Sequence, residues 1–189
     1  NKKRVSPSYR VQEGDYLRVP PVAMTEKTDK SYIPTAVSKR LTDSVLYEDN
    51  GLIIINKPSG LAVHGGSGIS CGVIEAFRQI YPDERNLELV HRLDRDTSGC
   101  LMIAKKRSIL RHIHAQLQNR SVQKVYHALV NGHWPAHKQL INAPLQKNIL
   151  CSGERIVRVH TDGKISKTHY RVLKRLANTT LVEACPLTG

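Results

Sequence analysis

Turn residues divide the chain into short apolar segments, and this spacing limits the folds that it can adopt. Residues 45–47, 52–55 and 100–104 are apolar and are bounded by Gly, Pro, Asn or Asp. Segments of this length with such boundaries are typical of β-strands. We predict further strands at 87–93, 124–130, 155–160, 169–173 and 180–184.

Two segments have helical spacing instead. Residues 73–81 place apolar side chains on one face and are followed by Pro82, and residues 108–117 carry Leu110, Ile113 and Leu117. Short strands with two helices between them predict an α+β fold, with a mixed, largely antiparallel sheet and flanking helices.

The first 43 residues differ from the rest in composition. Residues 9–12 and 16–19 resemble two strands around a Glu13–Asp15 turn, which suggests a hairpin that belongs to a larger unit. Residues 20–43 are rich in Pro, Lys, Thr and Ser, so we predict a linker with a short helix near 37–41. The core is predicted to start at Ser44.

The charge of the chain favours a polyanionic partner. Its 189 residues carry a formal net charge of +13, and a hydrophobic share of 40% excludes a wholly disordered tail. No apolar run approaches the roughly 20 residues of a membrane span, so no membrane partner is expected. Phosphate contacts are expected from Lys105, Lys106 and Arg107, whereas aromatic residues at 5% are too few for an extended stacking platform.

Cysteine and histidine spacing gives no metal site. The four cysteines form no CxxC pair and the nine histidines form no HExxH motif, so no metal is expected. Reduced thiols in a cytoplasmic protein are the expectation.

The segment His91–Gly99, HRLDRDTSG, concentrates charge between two apolar strands. Strand alternation would place Arg92 and Asp94 on one face and His91 and Leu93 on the other. Neighbouring guanidinium groups would keep Asp94 ionised, as a nucleophile or base requires. From spacing alone, a solvated charged turn explains the segment more simply.

Residues 64–68 form a second segment of interest, a glycine-rich loop. Its backbone amides could face a phosphate, although the loop lacks the GKS or GKT ending of a P-loop. A loop without a ligand fits these residues equally well.

The HRLDxxTSG pattern resembles that of the RluA-type pseudouridine synthases. Residues 55–60, INKPSG, and 124–132, KVYHALVNG, resemble two further motifs of this family. Residues 62–68 and 147–159 are most similar to members that modify large-subunit ribosomal RNA. The resemblance covers nearly the whole chain.

The resemblance implies a cofactor-free isomerisation of uridine to pseudouridine in large-subunit ribosomal RNA. Asp94 matches the catalytic aspartate, Tyr126 the active-site tyrosine that packs on the target uracil, and Arg92 an arginine that fills the space of the flipped nucleotide. Whether the aspartate attacks ribose or uracil, or assists elimination, stays open. His91, Lys57 and Arg95 are also predicted to contact RNA. A monomer is the default.

The resemblance also predicts how the chain is divided. Residues 1–19 resemble the tail of an S4-like RNA-binding domain, 20–43 form the linker, and 44–189 are the N-terminal part of the synthase catalytic domain. In the family, the sequence continues beyond Gly189 into a segment whose first arginine pairs with the catalytic aspartate. We therefore expect a fold that is incomplete at its C-terminus, and 189 residues that are inactive alone.

Two other functions compete with the enzyme at this stage. A non-catalytic RNA-binding or ribosome-assembly module would explain the positive charge and would tolerate replacement of Asp94. A metal- or nucleotide-dependent hydrolase is suggested only by the glycine-rich loop and the histidines.

Overall fold

A computed structural model describes residues 8–16, 33–65, 71–135, 137–149 and 155–188. Within these ranges the chain forms three helices and ten strands. The helices are α1 (Thr35–Thr42), α2 (Val73–Ile80) and α3 (Arg107–Gln118). The strands are β1 (Val45–Glu48), β2 (Leu52–Lys57), β3 (Glu88–Leu89), β4 (Gly99–Ala104), β5 (Tyr126–Asn131), β6 (Leu140–Asn142), β7 (Leu145–Ile149), β8 (Arg155–Val159), β9 (Lys167–Arg175) and β10 (Thr179–Pro186).

The first sheet has the order β1-β2-β4-β3, with antiparallel neighbours throughout. Alternation along β2 buries Ile53, Ile55 and Lys57 on one face. Apolar residues of that face join α1 and α2 in the main hydrophobic core, to which Leu41 and Phe77 contribute. A second, smaller cluster packs α3 against β4. Helices therefore cover both faces of this sheet.

The second sheet has the order β5-β10-β9-β6 and is also antiparallel. Its register sets Tyr126 opposite Ala184, and Ala184 opposite Tyr170. These three residues therefore share one face of the sheet, because directly paired residues point the same way. Strands β7 and β8 form a separate hairpin.

The predicted fold class is confirmed, and every described strand pair is antiparallel. The helices predicted at 73–81 and 108–117 are α2 and α3. The strand predicted over 87–93 is observed only at Glu88–Leu89. The Val90 amide still donates to the Met102 carbonyl of β4, and beyond that bond the chain separates from β4. Sequence analysis missed β6 and β7, which lack a clear apolar alternation.

The N-terminal predictions are tested only in part. Residues 9–12 form no strand and are loop, followed by a turn at Glu13–Gly14. The Asp15 carboxylate accepts hydrogen bonds from the Tyr9 hydroxyl and the Gln12 amide and closes this turn. Residues 1–7 and 17–32 lie outside the described ranges, so the S4-like tail stays a prediction.

The second half of the predicted linker is structured. The short helix expected near 37–41 is α1, and both Ile33 and Leu41 are buried in the main core. Residues 33–43 therefore pack as part of the domain, which corrects the predicted core start at Ser44. Among the described residues, no helix has the length and apolarity needed to cross a membrane.

Replacing Leu41 tests whether α1 belongs to the folded domain. Leu41 is 1% exposed, so Leu41→Ala should lower the free energy of unfolding by about 2–5 kcal/mol. Leu46→Ala is the matched control, because Leu46 is 61% exposed and its truncation should change stability by only about 0.5 kcal/mol. Urea denaturation measures both variants. Equal stabilities would contradict the packing of α1.

Candidate active site

The charged segment 91–98 forms the loop between β3 and β4. Leu93 is buried in the main core, while Arg92 and Asp94 on either side of it are exposed. These exposures match the expected opposite sides of Leu93 and Asp94, although the segment is a loop and not a strand. The Thr97 amide donates to the Asp94 carbonyl at 3.2 Å and closes a turn. The apolar anchor and the turn together present the Asp94 carboxylate to solvent.

A buried lysine supports this loop from beneath. The Lys57 side chain is 0% exposed. Its ammonium donates to the carbonyls of Pro58, Leu61 and Arg95 at 3.0, 2.9 and 3.0 Å. Burial lowers the pKa of Lys57, and the carboxylates of Asp96 and Asp94 act in the opposite direction. Because an ammonium has three N–H donors, all of them are used within the protein.

Three more hydrogen bonds join the turn after β2 to the same loop. The Gly60 amide donates to the Arg95 carbonyl at 2.9 Å, and Arg95 Nε donates back to the Gly60 carbonyl at 3.2 Å. The Ser59 hydroxyl donates to the Asp96 carbonyl at 2.8 Å. Gly60 has φ +88°, a conformation that glycine adopts without strain. The sequence motif NKPSG therefore holds the Asp94 loop in place; Ser59 was not singled out from the sequence.

Two predicted RNA contacts are corrected by these positions. Lys57 cannot reach RNA, because its ammonium is enclosed by three backbone carbonyls. Lys105 is 8% exposed and forms salt bridges with Glu48 and Glu84. Its ammonium also lies 5.4 Å from the centre of the Tyr81 ring. Lys106 and Arg107, the neighbours of Lys105, are exposed at the start of α3 and remain available.

The Lys105 cluster changes the titration of its members. The hydrogen bond from Lys105 is the main cause of a lowered pKa at Glu48. Burial, together with the hydrogen bond to Glu48, raises the pKa of Tyr81 to about 12. These groups form a partly exposed ion-pair cluster that links β1 to the ends of α2 and β4.

His91 has a similar supporting position. It is half-buried, and its Nε2 accepts a hydrogen bond from the Met102 amide at 3.3 Å. Burial is the main cause of its lowered pKa, which favours the neutral ring. His114 of α3, which sequence analysis did not select, contacts the Val90 carbonyl through Nε2 at 2.8 Å. The two histidines secure the chain where it enters the Asp94 loop.

Tyr126 starts β5 and contacts the same hydrophobic core as the Asp94 loop. Its half-buried side chain packs against the main hydrophobic cluster, of which Leu93 is a member. The candidate site therefore contains an exposed Asp94 and a half-buried Tyr126 attached to one core. Arg92, Arg95, Lys106 and Arg107 are exposed and can contact a polyanion.

The glycine-rich loop is only partly described, and its residues 66–68 lie outside the described ranges. The Gly65 amide donates to the Glu75 carboxylate at 3.0 Å, and the Gly72 amide donates to the same oxygen at 2.9 Å. The Gly65 amide is therefore occupied by a carboxylate and does not face a phosphate. Within the described ranges, no group of three or more His, Cys, Asp or Glu side chains could hold a metal ion.

Comparison with known proteins decides the family. A family model described as RNA pseudouridylate synthase matches residues 51–189. The chain belongs to this family. The expected similarity to large-subunit synthases is confirmed as well. The chain is 53% identical over 190 residues to ribosomal large subunit pseudouridine synthase C of Escherichia coli (strain K12). It is 54% identical over 195 residues to the Haemophilus influenzae protein of that name.

The match covers all of this chain but only part of each relative. The chain spans 60% of the Escherichia coli protein and 59% of the Haemophilus influenzae protein. Among solved structures, human RNA pseudouridylate synthase domain containing 4 is similar with a TM-score of 0.62 and 25% identity, covering 82% of this chain and 62% of that one. Human RNA pseudouridylate synthase domain containing 1 has a TM-score of 0.63 and 21% identity, covering 77% of this chain and 60% of that one. This likeness supports the fold.

Replacing Lys57 tests its role beneath the loop. Lys57→Met keeps the length of the side chain but removes the donor of three hydrogen bonds, so stability should fall by about 2–4 kcal/mol. Lys106→Met is the control, since Lys106 is exposed and its replacement should have an effect within about 0.5 kcal/mol. Urea denaturation measures both. A Lys57→Met protein as stable as the parent would refute this role.

The Glu48–Lys105 pair should make the free energy of unfolding depend on pH in the acidic range. Because the pKa of Glu48 in the folded state lies below its ordinary value of 4.5, the ionised pair stabilises the fold above that pH. The stabilisation is lost as the pH falls through the lower folded-state value. Glu48→Gln should therefore lose less stability than the parent during acid titration. Glu88→Gln, at an exposed strand position, should behave like the parent when unfolding is followed by circular dichroism.

Proposed function

We propose that this protein is a pseudouridine synthase that isomerises specific uridines of large-subunit ribosomal RNA. The observation that carries the proposal is the exposed Asp94 on a loop held by Lys57, in a chain of the RNA pseudouridylate synthase family. Full coverage of the chain at 53% identity to large-subunit synthase C supports the choice of ribosomal RNA.

The proposed reaction rearranges one nucleoside without net loss or gain of atoms. The target uridine leaves its stack so that the enzyme can reach it, which requires a few kcal/mol. The bond between N1 and C1′ breaks, the uracil turns, and C5 bonds to C1′ while the C5 proton moves to solvent and N1 is protonated. The Asp94 carboxylate acts as the nucleophile or as the base that assists elimination.

Other residues position the substrate in this mechanism. The half-buried Tyr126 ring packs on the uracil, and its hydroxyl can pass a proton. Arg92 occupies the space that the flipped nucleotide leaves. Arg95, Lys106 and Arg107 contact phosphates, and such contacts make binding depend on salt. His91 acts mainly by holding the loop, as its hydrogen bond to Met102 supports.

Further parts of the proposal concern the whole protein. We propose that it is a cytoplasmic monomer that needs neither metal nor cofactor, and that residues 1–19 are the tail of an S4-like RNA-binding domain. The isomerisation requires no redox change, which is consistent with protein side chains acting alone.

The Asp94→Asn variant of the full-length protein tests the function. Asparagine keeps the shape but removes the negative charge, so pseudouridine formation on unmodified large-subunit ribosomal RNA should fall roughly 10⁴-fold or more. RNA affinity should stay within about threefold of the parent, since no cationic contact is lost. Asp96→Asn, two positions along the loop, is the matched control and should retain most of the activity.

The comparison separates an enzyme from a binding module. An inactive parent that still binds RNA would overturn the catalytic proposal and favour a non-catalytic module. Full activity in Asp94→Asn would remove Asp94 from the mechanism.

A further inference from the structure

An aromatic pair joins the segment after β5 to strand β9 of the second sheet. The rings of Trp134 and Tyr170 are 4.6 Å apart between centres and tilted by 34°. They line a cavity of about 380 Å³ beside β9. Strand β6 pairs with Lys167–His169, and residues 169–172 and 175 of β9 line the cavity.

The tryptophan is held in position by three hydrogen bonds. Its amide donates to the Thr180 hydroxyl at 3.1 Å, and its indole Nε1 donates to the Lys138 carbonyl at 2.8 Å. The Trp134 carbonyl accepts from Arg175 Nη1 at 3.0 Å. A ring fixed in this way loses little conformational freedom when a ligand stacks on it.

The charges around the cavity are positive. Lys138, His169, Arg171 and Arg175 line it. Arg171 is paired with the Glu183 carboxylate. In the described part of the chain, neither Lys138 nor Arg175 has a carboxylate partner. Two cations that no carboxylate neutralises, beside an aromatic pair, match a ligand that has both a π-face and a phosphate.

The strand register relates this cavity to Tyr126. Tyr126, Ala184 and Tyr170 are paired across three neighbouring strands and share one sheet face. Because adjacent strands are about 4.8 Å apart, the Tyr126 and Tyr170 backbones are separated by roughly 10 Å. A short run of nucleotides can span that distance along the face.

We propose that the cavity of Trp134 and Tyr170 binds one nucleotide of a single-stranded RNA segment next to the target uridine. Its base stacks on Trp134, and its phosphate pairs with Lys138 and Arg175. Because every base has a π-face, this site adds affinity with little preference for sequence. The identity of this ligand rests on the proposed function, in which RNA is the substrate. Binding at the cavity itself requires no catalysis.

Fluorescence of Trp134 reports directly on the site. Trp134 is the one tryptophan in the 189 residues, and subtracting the signal of Trp134→Phe isolates it in the full-length protein. Titration with a short oligouridylate should quench this signal, because the base stacks on the indole. Inorganic triphosphate, which has charge but no base, should leave it nearly unchanged.

Variants then separate stacking from charge. Trp134→Ala should weaken oligouridylate binding by roughly tenfold, whereas Trp134→Phe should retain most of the affinity. Lys138→Gln and Arg175→Gln should each reduce the slope of log affinity against log salt by about 0.7. Lys174→Gln removes an exposed cation of β9 that does not line the cavity, and should change neither the affinity nor the salt slope appreciably.

The outcomes distinguish this inference from the proposed function. Asp94→Asn should show full quenching by oligouridylate without isomerisation, which supports the site independently of catalysis. Quenching by triphosphate equal to that by oligouridylate would overturn the stacking site and leave an anion site. An active parent whose Trp134 signal does not respond to oligouridylate would also overturn the inference, while leaving the proposed function intact.

Discussion

The buried ammonium of Lys57, at the end of β2, determines how the Asp94 loop is placed. An ammonium is stable in the interior only when its donors are satisfied. Lys57 meets this requirement with carbonyls of Pro58 and Leu61, near in sequence, and of Arg95, 38 residues away. The distant bond ties the end of β2 to the loop before β4, beside the Lys57–Gly99 pair of the β2–β4 ladder. The position of Asp94 therefore depends on the geometry of a buried lysine.

The hydrophobic core gives the second half of the site its position. Leu93 enters the main cluster from the loop, and Tyr126 packs against that cluster from the second sheet. A carboxylate from the loop between β3 and β4 and a phenol from the second sheet are thus attached to one packed interior. Such interiors deform little, so the core limits the relative movement of the two groups. The Lys57 ammonium holds Arg95 and the hydrophobic core holds Leu93, so the loop is fixed on both sides of Asp94.

Sequence patterns predicted what depends on local spacing. The periodicity of apolar residues gave α2 and α3, a continuous apolar run gave β4, and alternation placed Leu93 inside with Asp94 outside. The burial of Lys57 and Lys105 was not predictable in this way. Lys105 is neutralised by Glu48, 57 positions earlier in the chain. Trp134 was missed for the same reason, because its partner Tyr170 comes from another strand.

The net charge of +13 therefore overstates the surface that can bind a polyanion. The side chains of Lys57 and Lys105 are buried. Arg78, in the last turn of α2, donates through Nε and Nη2 to the Leu87 carbonyl. These cations stabilise the fold through oxygen atoms of the protein itself. A phosphate binds most readily to exposed cations that keep N–H donors free, such as Lys106. The partners of each basic residue, more than their number, decide where a polyanion can bind.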